Sequence, residues 1–404
     1  TSTPAGDNLH RVVIFRDGAG KTGQTLPFSM FDSADPQDLW KYLAGYEDKT
    51  GGQAIAIPHN GNLSNGLMFS EKTFKGKKID NEYAKTRMRW EPIIEMTQMK
   101  GDGETHPLLS PGDEFADYEQ WDLSNLAGTV AKTDDMLQYE YARSALKLGL
   151  QISKETGVNP YKFGMSGASD THTGLATTRE ENYFGKYKSA EPGPDRHNTE
   201  VVPAQDPALK IFASQELASG LMAVWARENT RGEIFGAMKR KEVYATTGTR
   251  IRVRVFAGWD FKADDVTRAD FTAQGYRRGV PMGGELRKAP IGKAPAFMVR
   301  ALRDPDGANL DRVQIIKGWL DEKGKTHERI YDVAVSDGRK IGKDGRCKKP
   351  VGNTVDLEAA NWTNTIGASE LAAVWTDPDF DAKEKAFYYA RVIEIPTPRW
   401  VLYD

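Results

Sequence analysis

Two short stretches carry side chains with the right chemistry and spacing to bind a metal ion. SGASDTHTG, at 166–174, holds Asp170 and His172 two residues apart among small polar residues. AIAIPHNGN, at 54–62, places His59 directly after an apolar run. Imidazole nitrogens and carboxylate oxygens are ligands that suit zinc, manganese or iron. We therefore predict that Asp170, His172 and His59 bind a divalent metal; the alternative is a polar turn with a hydrogen-bonded structural histidine.

Charged side chains also crowd the segment EMTQMKGDGETHP at 95–107. A lysine beside carboxylates in a pocket can hold an anionic group or transfer a proton. We therefore expect Lys100 and Glu104 to act on a substrate; the alternative is a solvated charged loop. The residues of this segment that we expect to contact the substrate are Glu95, Gln98 and His106.

The remaining histidines and the single cysteine give weaker signals. His10 precedes a strand rather than following one, so a ligand role and a structural role are equally supported. His197 and His327 are expected to be exposed. Cys347 is the only cysteine, which excludes an intramolecular disulfide and a cysteine-rich metal cluster. Its neighbours, DGRCKKP, predict an exposed loop.

The elements that must position these residues alternate between strands and helices. Apolar runs predict strands at 10–15, 51–60, 90–98 and 161–170, the first two of them buried. Capping residues and helical periodicity predict helices at 35–51 and 133–157. Strands and helices in this order are typical of parallel β/α units, in which functional groups gather at the carboxyl ends of the strands. The polar, proline-rich stretch 186–206 predicts a long surface loop.

The pattern changes after Thr230. A helix with capping-box spacing begins there, and alternating or apolar strands follow at 250–256, 296–303, 310–320, 328–335 and 385–395. We therefore predict two domains, 1–249 with the metal site and 250–404 as an antiparallel β-rich module. The second domain is expected to cover the first or to build the interface of a homo-oligomer.

The composition excludes several classes of function. The 404 residues include 55 basic and 57 acidic ones, a formal net charge of −2, which gives no global field for binding nucleic acid. No apolar run approaches the roughly 20 residues that span a bilayer. The chain also lacks a P-loop, a G-x-S-x-G elbow and a dinucleotide-binding glycine motif.

Several motifs carry a family resemblance. IPHNGN, an IEM strand and SDTH resemble the late motifs of the PHP superfamily, the polymerase and histidinol phosphatase metallohydrolases. A closer resemblance is to a PHP-like bacterial family of unassigned function, whose members are often exported. The motifs that carry it include NLHRVVIF, SPGDEFADYEQWD, VYATTGTRI and FYYARVIEIPTPRW.

The resemblance implies a distorted β/α barrel, a multinuclear metal site and a periplasmic or secreted protein. By motif, His59, Asp170 and His172 correspond to metal ligands of that family, and His10 is a further candidate ligand. The H-x-H motif that opens PHP domains is absent from the sequence. We therefore expect that a preceding segment supplies it.

Two hypotheses about function follow. The first is a metal-dependent hydrolase that acts on a small-molecule ester, by default a phosphoester, through a metal-activated water. The second is a metal-poor binding protein for a saccharide or an anionic ligand. Trp319, Trp375 and Trp400 could stack on sugars in that case, or belong to the core.

Overall fold

The computed structural model describes residues 6–187, 189–217 and 219–404, and residues 1–5 of the N-terminal stretch lie outside this part of the chain. The chain divides into two compact units. The first contains the described residues up to Thr178 together with Asn182–Gly248, and the second contains Arg179–Glu181 and Thr249–Asp404. Both units mix strands and helices, which agrees with the α/β class only coarsely.

The first unit holds the predicted metal-site residues. Its strands and helices are, in chain order, β1 (Arg11–Phe15), α1 (Ala19–Thr22), α2 (Pro36–Thr50), β2 (Ala54–Pro58), α3 (Asn81–Trp90), β3 (Ile93–Gln98), β4 (Gly101–Asp102), α4 (Asp134–Leu137), α5 (Ala142–Thr156), β5 (Gly164–Gly167), β6 (Glu200–Val202), β7 (Ile211–Phe212), β8 (Leu221–Val224), α6 (Arg231–Lys239) and β9 (Val243–Thr246).

The strands of this unit form small sheets. β3 pairs in parallel with β5 and antiparallel with β4, while β1 with β2, β6 with β7, and β8 with β9 form antiparallel pairs. β2 lies beside β3, and β5 lies beside β8 and β9. In the part of the chain that the structure describes, these sheets do not close into a barrel. The expected run of parallel β/α units is therefore found only at β3 and β5.

The helix predicted at 35–51 is confirmed by α2. Asp35 caps its start by accepting a hydrogen bond from Gln37 N at 3.0 Å, and Gly51 ends it with φ 62°, a left-handed conformation that glycine adopts without strain. Leu39, Trp40 and Leu43 of this helix are buried, as an amphipathic helix requires.

The helix predicted at 133–157 is shorter than expected. Its main part, α5, begins at Ala142, after the separate turn α4. The amides of Ala142 and Arg143 donate to the carbonyls of Gly103 and Glu104 at 2.8 and 2.9 Å. The start of α5 is thus bonded to the segment that follows Lys100, a long-range contact that helical periodicity does not reveal.

The second unit is β-rich. Its elements are β10 (Arg252–Gly258), α7 (Phe271–Arg278), β11 (Gly279–Pro281), β12 (Ala296–Leu302), β13 (Leu310–Leu320), β14 (Thr326–Val335), β15 (Glu370–Thr376), β16 (Lys385–Glu394) and α8 (Trp400–Tyr403). The strands form two antiparallel sheets, in the orders β11-β10-β12-β15 and β14-β13-β16. The predicted strands correspond to β10, β12, β13, β14 and β16, whereas β11 and β15 were not predicted.

Several expectations about exposure are wrong. Cys347 is buried, and its amide donates to Asp332 at 2.6 Å. The stretch 186–206 is not wholly a surface loop, because Lys186 and Val202 are buried within it. His197 and His327 are only partly exposed.

Among the described residues, no helix is both long and apolar enough to cross a bilayer.

Candidate functional site

The central histidine of the candidate site is fixed by a carboxylate. His59 follows the buried strand β2, and its Nδ1 lies 2.8 Å from both carboxylate oxygens of Glu95 on β3. A ring nitrogen that faces a carboxylate carries the proton, so Nε2 is left as the acceptor. Asn60 Nδ2, at 2.6 Å from Nε2, donates to that acceptor. Glu95 thus orients His59, and the substrate contact expected of Glu95 stays a prediction.

The backbone beside His59 is held in a conformation that few residues adopt. Asn60 has φ 53°, in the left-handed region that asparagine tolerates better than most residues. The side-chain oxygen of Asn60 accepts a hydrogen bond from Gln98 at the end of β3, and the backbone amide of Asn60 donates to Glu95 at 3.3 Å. Gln98 thus braces this turn. Non-glycine residues with positive φ are often found at functional sites.

Asp170 is the centre of the site and carries two lysines on one oxygen. It follows β5 with φ 53°. Lys186 Nζ lies 2.6 Å from Asp170 Oδ2 and 2.5 Å from the Asp170 carbonyl oxygen, and Lys100 Nζ contacts the same Oδ2. The exposed fractions of the three side chains are 9% for Asp170, 4% for Lys100 and 3% for Lys186. Two buried ammonium groups therefore share a single carboxylate oxygen.

The other oxygen of Asp170 faces two histidines. His59 Nε2 lies 3.6 Å from Oδ1 and His172 Nε2 lies 3.4 Å from it. The His172 side chain is 57% exposed, and its Nε2 is also 3.1 Å from Lys186 Nζ. The predicted residues His59, Asp170 and His172 are thus brought together, with His172 on the solvent side.

His10 completes the imidazole side of the site. Its ring stacks on that of His59 with the centroids 6.1 Å apart, and its carbonyl accepts from His59 N at 3.0 Å. Burial, followed by nearby positive charges, lowers the pKa of His10 to about 4, so its ring is neutral at neutral pH. Burial and the two lysines also lower the pKa of His172.

Burial sets the charge of the two lysines. Burial first, and then the charge of Lys186, hold the pKa of Lys100 well below its usual range. Burial lowers the pKa of Lys186 to about 8. Glu216, nearly inaccessible to solvent, has a pKa that burial raises to about 7, and Tyr183 donates its hydroxyl to Glu216 Oε2 at 2.5 Å. Lys186 and Glu216 can therefore change charge near neutral pH.

The other two predicted residues of the 95–107 segment have partners of their own. Glu104 Oε1 accepts from Arg143 Nη2 at 2.7 Å, and Arg143 also binds Asp113 at 2.8 Å. His106 Nε2 lies 3.0 Å from Asp122 Oδ2. These pairs hold the segment that follows Lys100, and the roles predicted for Glu104 and His106 on a substrate stay predictions.

The donors around Asp170 Oδ1 fit a metal ion in their chemistry. His59 and His172 each lie at the separation from Oδ1 that two ligands of one tetrahedral ion have, about 3.4 Å for bonds of about 2.1 Å. The Glu95–His59 bond is the kind of outer contact that orients a ligating imidazole. As they stand, however, the described residues include no group of three or more His, Cys, Asp or Glu side chains that could hold a metal.

Two residues of the site were missed by the sequence analysis. Lys186 lies in a stretch that composition assigns to a surface loop, and Glu216 follows a short turn without periodic pattern. The apolar residue Leu217 beside Glu216 does not predict burial of this segment, because a single apolar residue makes no periodic hydrophobic pattern.

Comparison with known proteins places the chain in a family but does not supply a function. No curated protein and no solved structure matches it. A family model described as a protein of unknown function (DUF3604) matches residues 1–404. Because that match spans the whole chain, the protein that carries the Asp170 cluster belongs to the DUF3604 family.

Proposed function

We propose that the Asp170 cluster is the active site of a metal-dependent hydrolase that acts on an anionic ester, by default a phosphoester. The observation that carries the proposal is the pair of buried lysines on one oxygen of Asp170, opposite a histidine that Glu95 orients. We also propose, from the sequence motifs, that the protein is related to the PHP superfamily and that its first unit is a distorted, unclosed form of the PHP barrel.

The lysine pair supports binding of an anion. Burial lowers the pKa of both lysines, because an ammonium group costs free energy in a region of low dielectric. An anionic ester that enters beside Lys100 and Lys186 would favour their protonated forms and bind to them. Charge that develops on its oxygens in the transition state would be stabilised by the same two groups, already in place.

The oriented histidine supports metal binding. Glu95 holds the proton of His59 on Nδ1, which leaves the lone pair on Nε2, where Asn60 now donates, as the one that a metal ion would take. Glu95 thus keeps His59 in the tautomer that metal binding requires.

His59, Asp170 and His172 are the residues that would hold the metal, with His10 as a further candidate. When bound, a zinc, manganese or iron ion would supply an activated water and a Lewis acid. Binding requires His59 Nε2 without a proton, the state that Glu95 favours.

The alternative is a binding protein without turnover. For a saccharide ligand, the tryptophans of the second unit give this alternative little support. The three tryptophans considered for sugar stacking pack against protein groups: Trp400 is fully buried, Trp319 stacks on His327 at 5.2 Å between centroids, and Trp375 lies 4.7 Å from the ring of Tyr331. An anionic ligand held by the lysine pair remains as a second hypothesis, because the same groups would bind it.

A panel of activated esters tests the proposal. The wild type, His59→Gln and His327→Gln would be assayed on p-nitrophenyl phosphate, its diester, the sulfate and the acetate, with zinc, manganese or iron supplied. His327 is a matched control, since it also pairs with an aspartate, Asp321 at 2.8 Å, in the other unit. We expect His59→Gln to lower kcat/KM by about 10³-fold and His327→Gln to leave it unchanged.

Elemental analysis of the same samples completes the experiment. Bound metal in the wild type and its loss in His59→Gln would support the metal role. Turnover of no ester in the panel, with metal bound, would count against the hydrolase and favour the binding protein.

A further inference from the structure

The structure points to a residue outside the cluster that sets its geometry. Trp121 is 1% exposed and contacts the two segments that carry Lys100 and Glu216. We propose that Trp121 is a positioning residue, which holds Lys100 and Glu216 at a fixed separation in the proposed hydrolytic site. The inference rests on the proposed function for its consequence, but the positioning can be measured without turnover.

The first contact is with the backbone that follows Lys100. Gly101 has φ 96°, and a Cβ added there would lie 3.0 Å from Cβ and Cδ1 of Trp121 and 3.0 Å from the carbonyl oxygen of Glu119. The amide of Asp102 donates to that same carbonyl at 3.0 Å. The Trp121 side chain thus packs directly on the main chain beside Lys100, at a position where only glycine fits.

The second contact is with the residue before Glu216. The indole Nε1 of Trp121 donates to the Gln215 carbonyl at 2.8 Å. On the other side of Glu216, the amide of Leu217 donates to the Met99 carbonyl at 3.0 Å. Glu216 is therefore fixed on both sides to the segment that carries Lys100.

This geometry has a consequence for the proposed site. Lys100 Nζ contacts Asp170 Oδ2, so a looser main chain beside Lys100 would move its side chain from the position in which it meets an anion. Trp121 would thereby affect the affinity of the site for an anion.

The chain offers a matched control in Trp40. It too is 1% exposed, and its Nε1 donates a single hydrogen bond, to Glu91 at 3.0 Å. Trp121→Phe and Trp40→Phe each remove one indole hydrogen bond and keep an aromatic ring. An effect that the two variants share is caused by a general loss of packing. An effect of Trp121→Phe alone is caused by the loss of its contacts with the segments of Lys100 and Glu216.

Two measurements on the full chain test the inference. Binding of inorganic phosphate would be followed by calorimetry, and amide hydrogen exchange would be followed at Leu217. We expect Trp121→Phe to weaken phosphate binding by about tenfold and to speed exchange at Leu217. Trp40→Phe should leave both unchanged.

The outcomes separate this inference from the proposed function. If the wild type binds no phosphate, the proposed anion site fails, and exchange at Leu217 alone decides the positioning role. Equal exchange at Leu217 in the two variants would overturn the inference. Equal phosphate affinity in the two variants, where the wild type binds phosphate, would overturn it as well.

Discussion

Each unit of the protein buries a lysine against an aspartate, but the two arrangements differ in their charge balance. In the second unit, Lys317 Nζ lies 2.7 Å from Asp377 Oδ2 and donates to the Asp379 carbonyl at 2.7 Å. Tyr388 donates its hydroxyl to the same oxygen of Asp377 at 2.6 Å. One ammonium group therefore meets one carboxylate, with a neutral donor beside them.

In the first unit, two lysine side chains meet one oxygen of one carboxylate, and the charges of Glu95 and Glu216 also act on both lysines. Asp170 also differs in its backbone, since it has positive φ, and in its position after a short strand. Lys317, by contrast, lies within the long strand β13. A one-to-one pair inside a sheet contributes to folding, whereas two lysines with lowered pKa values beside a strand end are a feature that a bound anion can complete. The comparison distinguishes a structural ion pair from a candidate site.

The largest expected effect comes from the lysines themselves. Lys186→Met should raise KM for an anionic ester by about 100-fold or more, because a charged hydrogen-bond partner of the anion is lost. Lys317→Met should leave KM unchanged and lower the free energy of unfolding by about 3–5 kcal/mol, because Asp377 stays buried without its counter-ion. Steady-state kinetics and urea unfolding of both variants measure the difference.

Lys241→Met is the control for loss of a partly buried lysine as such. Lys241 donates to the Lys162 carbonyl at 3.3 Å, and burial lowers its pKa. Its replacement should change neither KM nor kcat. A rise of KM in Lys241→Met as large as in Lys186→Met would remove the distinction between the two units.

A smaller effect is expected at the residue that orients His59. Glu95→Gln keeps the size of the side chain but lets His59 adopt the other tautomer. We expect kcat to fall by about 10–100-fold while KM changes little. The contrasting outcome, a raised KM with unchanged kcat, would return Glu95 to the substrate-contacting role expected from the sequence.

Glu216 is also expected to make the stability of the protein depend on pH. Burial raises the pKa of Glu216 from 4.5 to about 7, so the folded state holds this proton more tightly than the unfolded state. The resulting stability is present below pH 4.5 and is lost as the pH rises through 7, on the order of 3 kcal/mol in all. Glu216→Gln should lose less stability than the wild type between pH 5 and 8, as measured by urea unfolding.

The smallest expected effect is at His172. Its side chain is more than half exposed, and of the proposed metal ligands it is the one on the solvent side. His172→Gln should lower kcat/KM of the metal-supplied enzyme by about tenfold, because His59 and Asp170 keep their places as ligands. Kinetics at increasing metal concentration measure the effect, and an unchanged kcat/KM at every concentration would contradict a ligand role for His172.

Much of the site could be predicted because its residues stand at strand ends. His59 follows β2, Glu95 and Gln98 lie on β3, and Asp170 follows β5. Apolar runs give the positions of such strands in the sequence, and the side chains at their ends were correctly grouped. The lysine pair could not be predicted in full, because Lys186 reaches Asp170 through a tertiary fold of its loop that has no period.

The fold was predictable element by element but not in its assembly. The caps Asp35 and Gly51 locate α2, and strict alternation locates β10. The antiparallel pairing of β1 with β2 was not predicted, since hydrophobicity reports burial and not the direction of a neighbouring strand. The expected barrel therefore rested on the family resemblance and stays a proposal.

The most direct test of the Asp170 cluster compares Asp170→Asn with Asp377→Asn. Both changes remove the charge of a buried aspartate bound to lysine, at nearly constant volume. Hydrolysis of p-nitrophenyl phosphate and the midpoint of thermal unfolding would be measured for each. Both variants should have a lower midpoint, because each leaves a buried lysine without its counter-ion. We expect only Asp170→Asn to lose about 10³-fold or more in kcat/KM, while Asp377→Asn retains activity. Full activity in a folded Asp170→Asn protein would contradict a catalytic role for the cluster.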